Sequence, residues 1–431
     1  MHKFSYRGGR LFCEGVDLDR LAEETGTPAY VYSAGTLLEN YRRLEAAFSS
    51  LDHRVCYAIK ANSSLAVLDL LARAGSGFDI VSGGELFRVL AAGGSPARTT
   101  FAGVGKSVAE IETALRAGIY SLNVESEPEL ERIEAVAARL GLEAPVAIRV
   151  NPDVDAGTHA FISTGRSLNK FGIGLDRAGE VYRRAANCRH LKLRGIQTHI
   201  GSQILQTRPF VEAIEKLLPL VRALKREYQI EFFSIGGGMG IVYEQALASG
   251  LADWWTQTAT TPRLDPETYA AALLPLLEPL GLKILLEPGR SLVGNAGALL
   301  ATVEYVKQVP GKTFVIVDTA MNDLIRPALY DGWHEIVPLQ EPASDTPLAV
   351  DVVGPVCESG DFIAKDRKLP PLEAGDRLAI LSTGAYGSSM ASNYNSRPLA
   401  PEILVHGDTH RVVRQRQTYH DLIANESEPT R

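Results

Sequence analysis

Eight short β-rich runs alternate with amphipathic stretches between residues 54 and 289, and this alternation constrains the fold more than any other feature. The runs are 54–60 (RVCYAIK), 77–82 (GFDIVS), 99–104 (TTFAGV), 120–125 (YSLNVE), 145–151 (PVAIRVN), 193–201 (LRGIQTHIG), 231–237 (EFFSIGG) and 283–289 (KILLEPG). Between them lie segments such as SLAVLDLLARAG, GELFRVLAAGG, SVAEIETALRAG and EPELERIEAVAARLG. Their apolar spacing is helical, and several end in glycine, a helix-stop residue. Eight βα units over roughly 240 residues match the size of a (β/α)8 TIM-type barrel. An open, doubly wound sheet fits the same rhythm. The polar residues favour the barrel: Lys60, Asp79, Arg149, His199, the glycines at 236–238 and Glu287 all fall at the C-terminal ends of runs. In a barrel those ends converge on one mouth, where active sites sit. In an open sheet they would spread along a row.

The rhythm changes after about residue 295. ATVEYVKQV, TFVIVD, LAVDVVG, RLAILS and HRVVRQR are short and β-rich, with few long helical segments between them. The first residues carry similar short pieces. We therefore expect a barrel over 36–295 and an all-β domain built from 1–35 and 296–431.

Charge and cysteine content narrow the function classes. Lys and Arg number 44 against 51 Asp and Glu, a net charge of −7. A nucleic-acid or anionic-membrane partner would call for a basic face instead. The most apolar stretch, 271–286, is broken by Pro275, Glu278, Pro279 and Lys283, so no membrane span is expected. The first twenty residues lack a signal-peptide core. Cys13, Cys56, Cys188 and Cys357 are widely spaced and form no CxxC, which argues against a disulfide framework or a thiolate zinc site. No metal is expected, and the reducing cytoplasm is the expected location.

Several residues could carry chemistry. Lys60, ending an apolar strand in YAIKAN, would point into the mouth, partly desolvated, and could form a Schiff base; locally it also reads as a snorkelling surface lysine. Gly236, Gly237 and Gly238 would let backbone N–H groups approach an anion, and barrels often bind phosphate after strands seven and eight; alone, they are also a plain turn. Glu287 and Arg290 bring opposite charges to the eighth strand end, as a site or as a local ion pair. His199 alone is as readily structural. Cys357 to Asp361 (CESGD), Gly384 to Gly387 (GAYG), and Arg326 with Tyr330 are each compatible with ordinary turns when taken singly.

Taken together and in order, TPAYVYS, YAIKAN, DIVSGGEL, IRVNPDV, NKFGI, HIGSQ, GGGMG, EPGR, VDTAMNDLIRPALY, GPVCESGD and GAYGSSMASNYNSRP resemble the fold-type III pyridoxal-phosphate decarboxylases, closest to the branch acting on diaminopimelate. The resemblance covers nearly the whole chain and implies the alanine racemase-like arrangement of a barrel plus a β domain. It makes Lys60 the lysine that holds pyridoxal 5'-phosphate, with His199 packed on the cofactor ring and Glu287 at the pyridine nitrogen. Gly236, Gly237, Gly238, Ser202, Gly289 and the backbone near Arg290 would hold the phosphate. Asp79, Arg149 and Tyr386 would line the cofactor. Cys357 would be the acid that protonates Cα, delivered across a homodimer interface, so that active sites are shared. Arg290, Arg326, Tyr330, Glu358 and Tyr386 would bind substrate.

A substrate with a second carboxylate calls for arginine in bidentate geometry, whereas a diamine precursor does not. The two arginines therefore favour meso-2,6-diaminopimelate, giving L-lysine and CO2. Alternatives are a related decarboxylase for another basic amino acid or a carrier-linked or siderophore intermediate, and a non-catalytic cofactor-binding protein. The sequence departs from the resemblance at Asn169, which precedes KFG where serine is usual, and in the segment 243–261 with Trp254 and Trp255, which matches no motif.

Overall fold

The computed structural model describes residues 1–155, 157, 170–257, 262–342 and 346–427. Asn169 lies outside the described residues. The chain forms two compact units.

The first is a closed parallel barrel. Its strands are β1 (His53–Ala58), β2 (Gly77–Ile80), β3 (Thr99–Phe101), β4 (Ser121–Val124), β5 (Ala144–Asn151), β6 (Leu191–Gln197), β7 (Phe232–Ser234) and β8 (Lys283–Leu286). They pair in chain order, and β8 closes on β1 with Ile284 opposite His53 and Leu286 opposite Val55. Each of the eight runs read from the sequence holds one of these strands. The strands stop up to four residues before the runs do, so Lys60, His199, the 236–238 glycines and Glu287 fall in the connections, while Asp79 and Arg149 stay within β2 and β5. The helices between them are stopped as their sequences dictate. Val108–Ala117 starts with a capping box between Ser107 and Glu110 and ends at Gly118 in the left-handed conformation. Glu127–Leu140 ends the same way at Gly141.

Side chains alternate along a strand, and this period sorts the barrel interior. Ala147, Phe232 and Leu285 form one buried cluster with Tyr120. Two residues further along the same strand faces come Arg149, Ser234 and Glu287. Thus the apolar layer and the polar mouth above it share one set of inward positions. Gly195 on β6 is the space for Phe232: a Cβ there would lie 2.6 Å from the ring.

The second unit comprises Met1–Leu37, Val242–Thr261 and Val293–Arg431. Its main sheet runs through the long strand Gly297–Val309, which pairs with Ala29–Ser33, Lys312–Val317 and Arg377–Leu381. Ala29–Ser33 also pairs in parallel with Glu402–His406. The first residues are tied in by this pairing and by a core that joins Leu11, Leu18 and Leu21 to Leu300, Leu381 and Ile403.

The contiguous barrel expected over 36–295 needs a correction. The segment Val242–Thr261 belongs to the β-rich unit. Ala246 is buried in that unit's core, and its carbonyl lies 2.5 Å from His2 Nε2. The Leu247 N–H donates to Glu335 at 2.7 Å, and Asn295 Nδ2 donates to the Val242 carbonyl at 2.9 Å. Within the segment, Trp254 Nε1 donates to Gln245 Oε1 at 3.0 Å and Trp255 Nε1 to the Ser249 carbonyl at 2.8 Å.

Truncating the barrel's interior ring should be costly because Gly195 leaves nothing to refill the space. Phe232→Ala is expected to lower stability by roughly 3–5 kcal/mol, measured as a lower urea midpoint.

Candidate active site

Lys60 follows β1 in a single 3-10 turn, Ile59–Ala61, not in the strand itself. The strand's apolar register ends at Ala58, and the turn presents the lysine with its side chain 40% exposed, its Nζ 3.7 Å from Asp79 Oδ2. The amine is thus open on one side and paired on the other. Asp79 is fully buried on β2, where burial pushes its carboxyl upward against the opposing pull of Lys60 and a hydrogen bond from Thr100.

Glu287 follows β8 and is also buried. Gln197 Nε2 donates to Oε2 at 2.9 Å, and Ser234 Oγ to Oε1 at 2.6 Å. Burial and the nearby Asp79 charge push its carboxyl up to about 7. Gln197 and Ser234, at the ends of β6 and β7, were not singled out in the sequence. A small polar residue closing an apolar strand is the signal that could have marked both.

His199 accepts from the Gly237 N–H through Nδ1 at 3.2 Å. Burial, with Lys60 and Arg149 nearby, holds the imidazole well below its usual value, so the ring is a neutral plate with its other nitrogen protonated. Arg149 donates to Glu125 at 2.9 and 3.2 Å and to the His199 carbonyl at 3.4 Å. Glu125 is a third residue that was not singled out in the sequence. It also accepts from the N–H groups of Gly103 and Gly172, both at 3.0 Å. One buried carboxylate thereby ties together three loops and the guanidinium.

The triple glycine is explained by backbone packing. A Cβ on Gly236 would lie 2.3 Å from the Thr198 carbonyl oxygen, on Gly237 2.1 Å from that of Glu287, and on Gly238 2.5 Å from that of Gly201. The loops after β6, β7 and β8 therefore touch main chain to main chain, which only glycine permits. Gly289 packs its main chain on Ala58 and Ala61, and Arg290 Nη2 donates to Ser202 Oγ at 3.2 Å.

These residues fit pyridoxal phosphate. The group needs an amine for its aldehyde, a carboxylate for its ring nitrogen and a backbone-rich cradle for its phosphate. The barrel mouth offers Lys60, Glu287 and the 236–238 loop. Two buried polar atoms beside them, Gln197 Oε1 and Thr198 Oγ1, find no partner among the described residues, as expected where a polar ligand completes the set.

The remaining expected residues lie in the β-rich unit. Arg326 is buried at the start of the helix Arg326–Tyr330, with Tyr330 half-buried at its end. Cys357 is exposed, and its N–H donates to Asn395 Oδ1 at 3.4 Å. Glu358, also exposed, accepts from the Tyr394 hydroxyl at 2.8 Å. Asp361 fixes the CESGD loop by accepting from the Met321 and Val356 N–H groups, both at 2.7 Å. Tyr386 has a left-handed backbone, φ 57°, between two glycines that packing requires: a Cβ on Gly384 would lie 1.9 Å from the Val293 carbonyl oxygen, and one on Gly387 2.4 Å from that of Thr383.

Comparison with known proteins agrees with this geometry. Residues 34–294 match the family described as pyridoxal-dependent decarboxylase, pyridoxal binding domain. A diaminopimelate decarboxylase of Neisseria meningitidis is 54% identical, over 96% of this chain and 98% of the relative. The chain belongs to the diaminopimelate decarboxylase family. A Pseudomonas aeruginosa member is 50% identical over 99% of both chains. Among solved structures, a Helicobacter pylori diaminopimelate decarboxylase complexed with L-lysine superposes with a TM-score of 0.88 at 42% identity, covering 95% of this chain and 99% of the other. The pyridoxal-dependent chemistry and the barrel with its β-rich companion are those of this family, as the resemblance implied. Among the described residues, no helix is long and apolar enough to cross a membrane.

Glu287 yields a pH test. An acid whose folded-state value is raised binds a proton more tightly when folded, so stability is lost as pH rises through that range. In cofactor-free protein, wild type should lose thermal stability between about pH 4.5 and about 7 relative to Glu287→Gln, seen as diverging melting temperatures.

Proposed function

We propose that this chain decarboxylates meso-2,6-diaminopimelate to L-lysine and CO2 with pyridoxal 5'-phosphate, as the last step of lysine formation. The observation that carries the reading is the buried Glu287 held by Gln197 and Ser234 at the same barrel mouth as Lys60. Decarboxylation of diaminopimelate itself follows from family membership.

When bound, pyridoxal phosphate supplies the electron sink that takes the pair of electrons left when CO2 departs. The protein does the rest. Lys60 holds the cofactor through its amine, with Asp79 beside it. Glu287 would pair with the cofactor's ring nitrogen and keep it protonated, and that pairing would lower the cost of a buried carboxylate. His199, kept neutral, offers a flat face for the ring. Gly236, Gly237, Gly238, Gly289 and Ser202 hold the phosphate.

Arg290 and Arg326 take the distal carboxylate with Tyr330, and Glu358 takes the distal ammonium. Cys357 delivers a proton from Sγ to Cα after CO2 leaves. The exposure of Cys357 and Glu358 suits a loop that is completed by a second copy of the chain, so we assign a homodimer with shared sites, to which Tyr386 also contributes. The free cysteines suit a cytoplasmic enzyme.

The deciding experiment is CO2 release from meso-, LL- and DD-diaminopimelate, ornithine and arginine. Strong preference for the meso compound is expected; preference for ornithine or arginine overturns the substrate. Lys60→Ala should abolish borohydride trapping of the cofactor, and unchanged trapping would remove Lys60 from its role. Mixing inactive Lys60→Ala and Cys357→Ala chains should recover part of the wild-type rate; no recovery counts against shared sites.

A further inference from the structure

The segment 243–261 matched no motif, and the segment around His334 was not singled out. The structure brings them together on Arg326. Arg326 Nη1 lies 2.6 Å from His334 Nε2, and its guanidinium carbon sits 4.6 Å from the centroid of the Tyr243 ring. Tyr243 and His334 in turn meet edge to face, 5.2 Å apart at 83°. All three are buried, with His334 fully so.

The hydrogen bonds assign the imidazole's state. His334 Nδ1 is 2.8 Å from the Leu381 carbonyl oxygen, which can only accept, so Nδ1 carries the proton. Arginine can only donate, so Nε2 must present its lone pair to Arg326. His334 is therefore neutral in this arrangement. A neutral imidazole and an aromatic face both attract a guanidinium, and neither brings a negative charge of its own. They fix the position of the cation without adding a negative charge of their own.

The supports are themselves braced. The His334 carbonyl accepts from Arg367 Nη1 at 2.6 Å, and the next residue, Glu335, accepts from the Leu247 N–H at 2.7 Å. The bracing thus joins the same two segments that meet on Arg326. Gly332 lets the chain turn back against the helix start: a Cβ there would lie 3.0 Å from the Arg326 carbonyl oxygen.

We propose that His334 and Tyr243 are positioning residues that set specificity for the distal carboxylate by holding the Arg326 guanidinium in one orientation. This is the role of the otherwise unassigned 242–257 segment: it supplies the ring on which the substrate arginine lies. The inference rests on the reading of Arg326 as a carboxylate-binding residue. An arginine left to rotate loses the bidentate geometry on which carboxylate recognition depends.

The test compares L-lysine with cadaverine as inhibitors of the holoenzyme. The two share both amines, and only lysine carries the carboxylate. In His334→Leu, the lysine inhibition constant and the KM for diaminopimelate should rise about tenfold, the scale of one lost contact to a charged group. The cadaverine constant and kcat should stay near wild type. Tyr243→Leu should act in the same direction, which covers the case in which the histidine variant does not fold. His334→Gln, whose amide can donate to Leu381 and accept from Arg326, should recover most of the lysine affinity, and Tyr243→Phe, which keeps the ring, should retain it. Equal weakening of lysine and cadaverine, or an unchanged ratio in both leucine variants, overturns the proposal. A wild-type enzyme that binds lysine no better than cadaverine instead overturns the reading of Arg326.

Discussion

A carboxylate sealed from water must be either neutral or fully partnered, and Glu287 is where this protein meets that condition. Gln197 and Ser234 reach it from adjacent strands, and the Glu287 N–H donates to the Gly236 carbonyl at 2.8 Å. One residue thereby fixes the ends of three neighbouring strands and the glycine loop. β8 carries Glu287 two residues beyond Leu285, and β7 carries Ser234 two residues beyond Phe232, so the acid and its partners continue the line of the apolar layer. Closure, apolar layer and polar mouth are a single arrangement.

The charges around this acid are set against one another. Asp79 and Glu287 are each pushed up by burial, Lys60 draws both down, and His199 is held neutral between cations. Two raised acids and a neutral imidazole at one barrel mouth suit the cationic ring nitrogen that the proposed function places there. Arg149, one of those cations, is held in place by Glu125, which also accepts from two backbone N–H groups. In the β-rich unit a different device appears: Arg326 is held by a neutral imidazole and an aromatic face, which orient it without adding charge.

Much of the site was legible because it lies where a strand ends. Lys60, Asp79, His199 and Glu287 each interrupt an apolar run, and that interruption is visible in the chain. Gln197 and Ser234 stand in the same kind of position, yet neither is ionisable, so neither drew notice. Glu125 looked like one acid among 51. Its importance comes from Gly103, Arg149 and Gly172, which reach it from separate loops. Tyr243 and His334 are separated from Arg326 by 83 and 8 residues, and no spacing rule connects an aromatic, an imidazole and a guanidinium across such gaps.

By itself, the sequence determined the local pattern: eight short β-rich runs with helical stretches between them, glycine stops, and a β-rich remainder. These are local properties, governed by backbone sterics and by which face of each element is apolar. Only the tertiary structure decided that the 242–257 stretch, flanked on both sides by barrel sequence, would pack with the β-rich unit, where Ala246 finds a core and Leu247 finds Glu335. Only it decided which groups would hold each charge. Those partners are chosen by distance in space, and distance in space between residues far apart in the chain exists only once the sheets have formed.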